Sequence, residues 1–294
     1  MQKEAFLKYI KNQKNYSSHT VESYACDIEQ FVKFCIGNNY ILENEELPNN
    51  FKIIREWLAL LNQNKIKART INRKISAIKQ YYRYLQREEI IQNTEVSKIS
   101  TLKTPKNIPN FIEQQKIDLI EELPIFQNDF NGVRDNLIIE TLYCTGIRRA
   151  ELLTIKLSDV SIYESTLKVL GKRNKERIIP YPESLNKLIK KYLEFRKDII
   201  TDSKELFINE TGKSLYPNFI NRKVKYYLSY VTTNENKNPH ILRHSYATHL
   251  LNNGADINSI KTLLGHENLS ATQIYTHTNF KQLNKIYKQA HPRA

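Results

Sequence analysis

The chain has few cysteines, glycines and acidic residues, and no long apolar run. Its three cysteines, Cys26, Cys35 and Cys144, are odd in number and far apart, so they frame neither a disulfide scaffold nor a CxxC zinc site. They are expected to be reduced core thiols. No stretch of about 18 apolar residues occurs, and charges interrupt the opening MQKEAFLKYIKNQ, so neither a signal peptide nor a membrane anchor is expected and a cytoplasmic protein is. With Gly at 7 of 294 residues and no repeat, low-complexity and solenoid classes are excluded. A GK[ST] phosphate loop is missing, which removes nucleotide-driven chemistry of that kind.

Acidic residues are outnumbered, 31 against 45 Lys and Arg, for a formal net charge of +14. Such an excess fits a polyanionic partner, because each neutralised phosphate releases condensed counterions. A lysine-rich composition throughout the chain gives the same excess without such a partner.

From Gln2 to about Ser97, apolar residues recur at spacings of three and four, predicting a small bundle of four or five helices. Ser18 is the expected N-cap of the second helix. The fourth carries Arg69, Arg73, Lys74 and Lys79 around its apolar stripe, the pattern of a helix that lies on DNA. A solvated helix face has the same pattern. The segment SKISTLKTPKNIPNFI then breaks the periodicity with prolines and lysines. The expected division is a helical DNA-binding domain over 1–99, a basic linker over 100–110 and a second domain over 111–294.

In that second domain, GVRDNLIIETLYCTG reads as a helix stopped at Gly146. ESTLKVLGKRNKERIIPYP alternates on both sides of KRNK and predicts a hairpin. Further helices are expected at ESLNKLIKKYLEFRK, YPNFINRKVKYYLSYV, from Pro239 to about Asn253, after Asp256 as far as Gly265, after Ser270, and at FKQLNKIYKQA. The fold class is mainly α, with one small antiparallel sheet.

The stretch from His240 to His277 holds most of the chain's seven histidines. A zinc reading of His240, His244 and His249 is weakened because HILRH lacks the Glu of HExxH and sets Arg243 against any metal. His244 and His249 are expected to pack or hydrogen-bond at the helix surface. A different set makes better chemical sense. Arg148 in TGIRRAEL, Lys172 in GKRNKER, His240 and Arg243 in HILRH, and His266 in LLGHEN are groups that hold and protonate a phosphodiester, since forked arginine donors match phosphate oxygens. Tyr275 is the candidate nucleophile.

These motifs, in this order, resemble the tyrosine recombinase (phage integrase) family, and the C-terminal YTHTNFKQLNKIYKQAHPRA is similar to its Xer branch. YSSHTVESYACDIEQF and RTINRKISAIKQYYRYL resemble that branch's core-binding domain, a SAM-like helical bundle. The resemblance implies that Arg148, His240, Arg243 and His266 hold the scissile phosphate, that Tyr275 attacks it to form a 3′-phosphotyrosyl link, and that Lys172 protonates the departing 5′ oxygen. Glu151 is implied as a support for the Arg148 segment. No cofactor, metal or ATP is implied. The partners implied are duplex DNA with a specific site, a homo- or hetero-tetramer with a second Xer recombinase, and a septal DNA translocase. The activity implied is resolution of chromosome dimers at a dif-like site. An integrase of a mobile element, a type IB topoisomerase-like enzyme and a non-catalytic DNA-binding protein stay open as alternatives. The stripe Phe280, Leu283, Ile286 and Tyr287 is implied to dock on a neighbouring protomer. Departures from the family pattern are Arg149, Arg173 and Ser245-Tyr246; Arg173 leaves Lys175 as a second candidate for the general acid.

Overall fold

The computed structural model describes residues 2–40, 47–104, 111–171, 175–265 and 277–293. It divides into two compact units, Met1–Asn107 and Ile108–Ala294.

The first unit is helical: α1 (Gln2–Asn12), α2 (Ser18–Gly37), α3 (Phe51–Gln63) and α4 (Ala68–Arg87), closed by a 3-10 turn at Glu95–Lys98. The cap of α2 is Ser17, one residue before the expected Ser18; its hydroxyl accepts the Thr20 N–H. The apolar stripes meet in a core of Phe6, Ile28, Phe31, Trp57, Ile75 and Tyr82. The expected linker over 100–110 begins against this unit, directly after the buried end of the expected first domain. Ile99 is buried in it, and the Leu102 backbone both donates to and accepts from the Asn72 amide, at 2.8 and 2.9 Å. Residues 105–110 lie outside the described residues.

The second unit is built around α6 (Phe130–Thr145), buried on nearly every side, so that even its charged residues are enclosed and paired, Arg134 with Asp135 and Glu140 with Arg293. Before it lies α5 (Gln114–Glu122) and after it the short α7 (Arg149–Leu153). A three-stranded antiparallel sheet follows, β1 (Val160–Ser161), β2 (Thr166–Leu170) and β3 (Glu176–Pro180), in the order β1-β2-β3. In the register, Leu167 faces Ile179 and Val169 faces Arg177, so the inward side of β3 carries an arginine beside an isoleucine. Then come α8 (Glu183–Lys197), α9 (Pro217–Leu228), α10 (Pro239–Asn252), α11 (Ile257–Leu264) and α12 (His277–Ala290). The helix expected after Ser270, which includes Tyr275, lies outside the described residues.

Helix α12 overturns one expectation. Leu283 and Tyr287 do not present an open stripe; they are buried against Tyr246, Leu250, Ile260 and Leu263 of the same chain. The Tyr287 hydroxyl donates to the Cys144 carbonyl at 3.0 Å. Beyond the helix, His291 stacks on Tyr287, and Arg293 pairs with Glu121, Glu140 and Asp118. An apolar stripe tells that a face is covered, and here the cover is the chain's own domain.

Candidate active site

Two helix ends form the floor of the site. α6 stops at Gly146 and α11 at Gly265, both in the left-handed conformation, with φ +60° and +65°. At Gly146 a Cβ would lie 2.5 Å from the Tyr246 ring, so the position requires glycine twice over. The carbonyls near these stops carry the negative ends of their helices. Arg243, buried on α10, donates to Gly146 O at 2.6 Å and to Leu264 O at 2.7 Å. Arg148, half-buried at the start of α7, donates to Gly265 O at 3.2 Å. Two of the sequence-selected arginines thus meet at the end of α11, and Arg243 reaches the end of α6 as well.

Glu151 joins them. One carboxylate oxygen accepts the Arg148 backbone N–H at 2.7 Å, and the other accepts the Arg148 guanidinium at 3.0 Å. The same carboxylate receives both Nη groups of Arg177, each at 2.9 Å, while Arg177 Nε donates to Leu263 O at 3.0 Å. Burial raises the Glu151 pKa, but the bonds and charge of Arg177, then those of Arg148, outweigh it, so the net shift is downward and the group is ionised at neutral pH. Sequence reasoning missed Arg177. The alternation of β3 was a signal for it, because it places residue 177 on the same face as Ile179.

Two guanidiniums, those of Arg148 and Arg177, therefore share one carboxylate, and the third, Arg243, rests on backbone carbonyls beside them. Burial, then the neighbouring Arg148, push the Arg243 pKa down to about 10, which still leaves it charged at neutral pH. His240, one turn before Arg243 and exposed, has its pKa lowered by the desolvation it does experience and then by His244, Arg243, Arg149 and Arg148. Its neutral form is favoured. Excess fixed positive charge beside a neutral imidazole is a site for an anion with several acceptor oxygens, and forked donors suit a phosphate.

Lys172, His266 and Tyr275 lie outside the described residues. Lys172 follows Gly171, whose N–H donates to Lys175 O at 2.7 Å where β2 leads towards β3; His266 follows Gly265. His244 is exposed, but His249 is buried, not at the surface as expected: its Nδ1 lies 3.0 Å from the Tyr143 hydroxyl. That turns it away from any ligand set with His240 and His244. Ser245 stands in a structural place as well, its hydroxyl accepting the Ile112 N–H and donating to Ile241 O.

The sequence pattern of the phage integrase family matches residues 110–282, and that of the phage integrase N-terminal SAM-like domain matches residues 4–89. The chain belongs to the phage integrase family. It is a tyrosine-type site-specific recombinase, and its curated relatives agree. A tyrosine recombinase XerC of Staphylococcus epidermidis is 39% identical over 297 residues, covering 99% of this chain and 97% of that one. A tyrosine recombinase XerC of Chlorobaculum parvum is 34% identical over 316 residues, covering 99% and 94%. The fold is similar to that of the XerH site-specific recombinase in a post-cleavage complex with its palindromic difH substrate, with a TM-score of 0.72, 21% identity, and coverage of 96% and 83%.

In the recombinase's SAM-like unit the four basic residues picked for DNA part company. Arg69 is exposed and Lys79 half-buried. Arg73 is exposed but also pairs with Asp27 and donates to Ser23 O. Lys74 contradicts its expected place: it is 4% exposed, donates to Asp27 at 2.8 Å and to Gln30, and lies 5.9 Å from the Trp57 ring centre. Its neighbour Ile75 is a core residue, and the helix rotates Lys74 inward with it.

Proposed function

We propose that this recombinase cuts and rejoins duplex DNA at a specific site through Tyr275, and that its task is to resolve chromosome dimers at a dif-like site. The observation that carries the reading is the meeting of Arg148 and Arg243 at the ends of α6 and α11, where the carboxylate that Arg148 reaches among the described residues, Glu151, is already divided between Arg148 and Arg177. The Xer names of relatives matched over nearly full length support the cellular task.

In this reading the arginines hold the non-bridging oxygens of the scissile phosphate, assisted by His240 and His266, and stabilise the charge that builds on them. The Tyr275 oxygen gives up its proton, for which a neutral histidine is an acceptor, and bonds to phosphorus. The bond from phosphorus to the 5′ oxygen breaks, and Lys172 supplies that oxygen's proton. A 5′ hydroxyl from a second duplex reverses the step, so the phosphodiester energy is conserved and no nucleotide is consumed. The SAM-like unit binds the duplex through Arg69, Lys79 and their neighbours, and the recombinase works in a tetramer with copies of itself or with a second Xer recombinase. A cytoplasmic location and reliance on a septal translocase belong to the same reading.

The test is formation of denaturation-resistant protein–DNA adducts on nicked dif-like duplexes. Wild type should form them, and Tyr275→Phe should form none while binding with unchanged affinity. Lys172→Ala should recover cleavage on a substrate with sulfur at the 5′ bridging position, a leaving group that needs no proton; if sulfur does not help, the acid role moves to Lys175 or a histidine. An adduct from Tyr275→Phe overturns the mechanism, and failure to join two different duplexes overturns recombination in favour of a topoisomerase.

A further inference from the structure

An arginine on the inward face of a strand is costly unless its donors are satisfied, since a buried unpaired charge is heavily penalised. Arg177 is 6% exposed and meets that cost with Glu151 and the Leu263 carbonyl. The consequence falls on Arg148. The two oxygens of Glu151 accept four donors, two from Arg177 and two from Arg148. The carboxylate is saturated, and its single charge is shared between two cations.

The same guanidinium connects three segments that carry the proposed chemistry. It sits on β3, five residues after Lys172; it grips the Glu151 that orients Arg148; and it holds α11 at Leu263, three residues before His266. A Cβ on Gly265 would stand 3.1 Å from its Nη1, so its planar head fills the space under the turn that leads to His266.

We propose that Arg177 is a positioning residue for strand cleavage: it neutralises and fixes Glu151 so that the charge of Arg148 is directed to the scissile phosphate. The inference rests on the reading of Arg148 as a phosphate ligand. If Arg177 is replaced by an uncharged residue, Glu151 keeps its charge only by drawing on Arg148, and the site holds the carboxylate's repulsion toward the phosphate as well.

A residue that merely holds the domain together predicts something different, because then removing Glu151's charge as well adds damage. Adduct formation under single turnover and DNA affinity are measured in the full chain for Arg177→Met, Arg177→Met with Glu151→Gln, and Arg177→Lys, each checked for folding by its thermal melt. Arg177→Met should cleave about 100-fold more slowly with affinity within about threefold, the scale of a lost preorganised phosphate contact. Adding Glu151→Gln should recover about tenfold of that rate, because a neutral amide no longer competes for Arg148. Arg177→Lys keeps the charge and loses the fork, and should fall between wild type and Arg177→Met. If Arg177→Met does not fold, the double variant and Arg177→Lys decide, both expected to cleave more slowly than wild type by no more than about 30-fold. Wild-type cleavage by Arg177→Met or Arg177→Lys, or a double variant slower than Arg177→Met, overturns the proposal. Absence of adducts from the wild type would instead overturn the mechanism on which it rests.

Discussion

Asp27 in the SAM-like unit and Glu151 in the catalytic unit are both buried carboxylates with two cations each, yet they serve opposite ends. Around Asp27 the cations are consumed: Lys74 is enclosed with it, and Arg73 reaches back over it to Ser23 O. Around Glu151 a third cation, Arg243, is added whose described partners are only backbone carbonyls, so positive charge accumulates. The lesson is that a count of basic residues does not locate an anion site. What locates it is where cations outnumber the acids they can reach.

The largest effect is expected at Asp27. Asp27→Ala leaves Lys74 buried without its carboxylate and should destabilise the bundle by about 3–5 kcal/mol. Trp57, the only tryptophan, is buried in that core and reports the unfolding in denaturant by its fluorescence. A midpoint close to wild type would show that Lys74 leaves its pocket at little cost, and the contrast with the site would fail.

A smaller effect separates cations that keep their proton from one that gives it up. Burial, then Arg293, push the His291 pKa down to about 3, so this imidazole is neutral in the fold, unlike Arg243. The unfolded chain takes up the proton near pH 6.5 and the folded chain does not until about pH 3, so His291's contribution to stability is complete above 6.5 and is lost progressively as the pH falls. From pH 7 to pH 5 that loss is about 2 kcal/mol. Thermal melts of the full chain at the two pH values should differ less for His291→Gln than for wild type; an equal difference would show that His291 has no part in the acid response.

The smallest effect is on DNA. Lys79→Ala should reduce the slope of log affinity against log salt by about 1 if this half-buried lysine meets a phosphate. Lys74→Met should leave that slope unchanged, because its ammonium faces Asp27. A reduced slope for Lys74→Met would return it to the DNA surface.

Local rules made the helices, their ends and the hairpin legible in the chain. Apolar spacing marked the helices, Gly146, Asp256 and Gly265 marked their ends because left-handed stops and side-chain caps are properties of a few neighbouring residues, and alternation marked the hairpin. The motif order also pointed to the family, which the match over residues 110–282 shows. Tertiary structure alone decided the pairings across long separations. Lys74 meets Asp27 over 47 positions, Arg177 meets Leu263 over 86, and Tyr287 meets Cys144 over 143. Periodicity shows that a side of a helix or strand is covered, but not by what. That is why Lys74 reads as a DNA contact when it is a core ion pair, why Arg177 passes unnoticed, and why the stripe of α12 reads as an open docking face when its own domain already covers it.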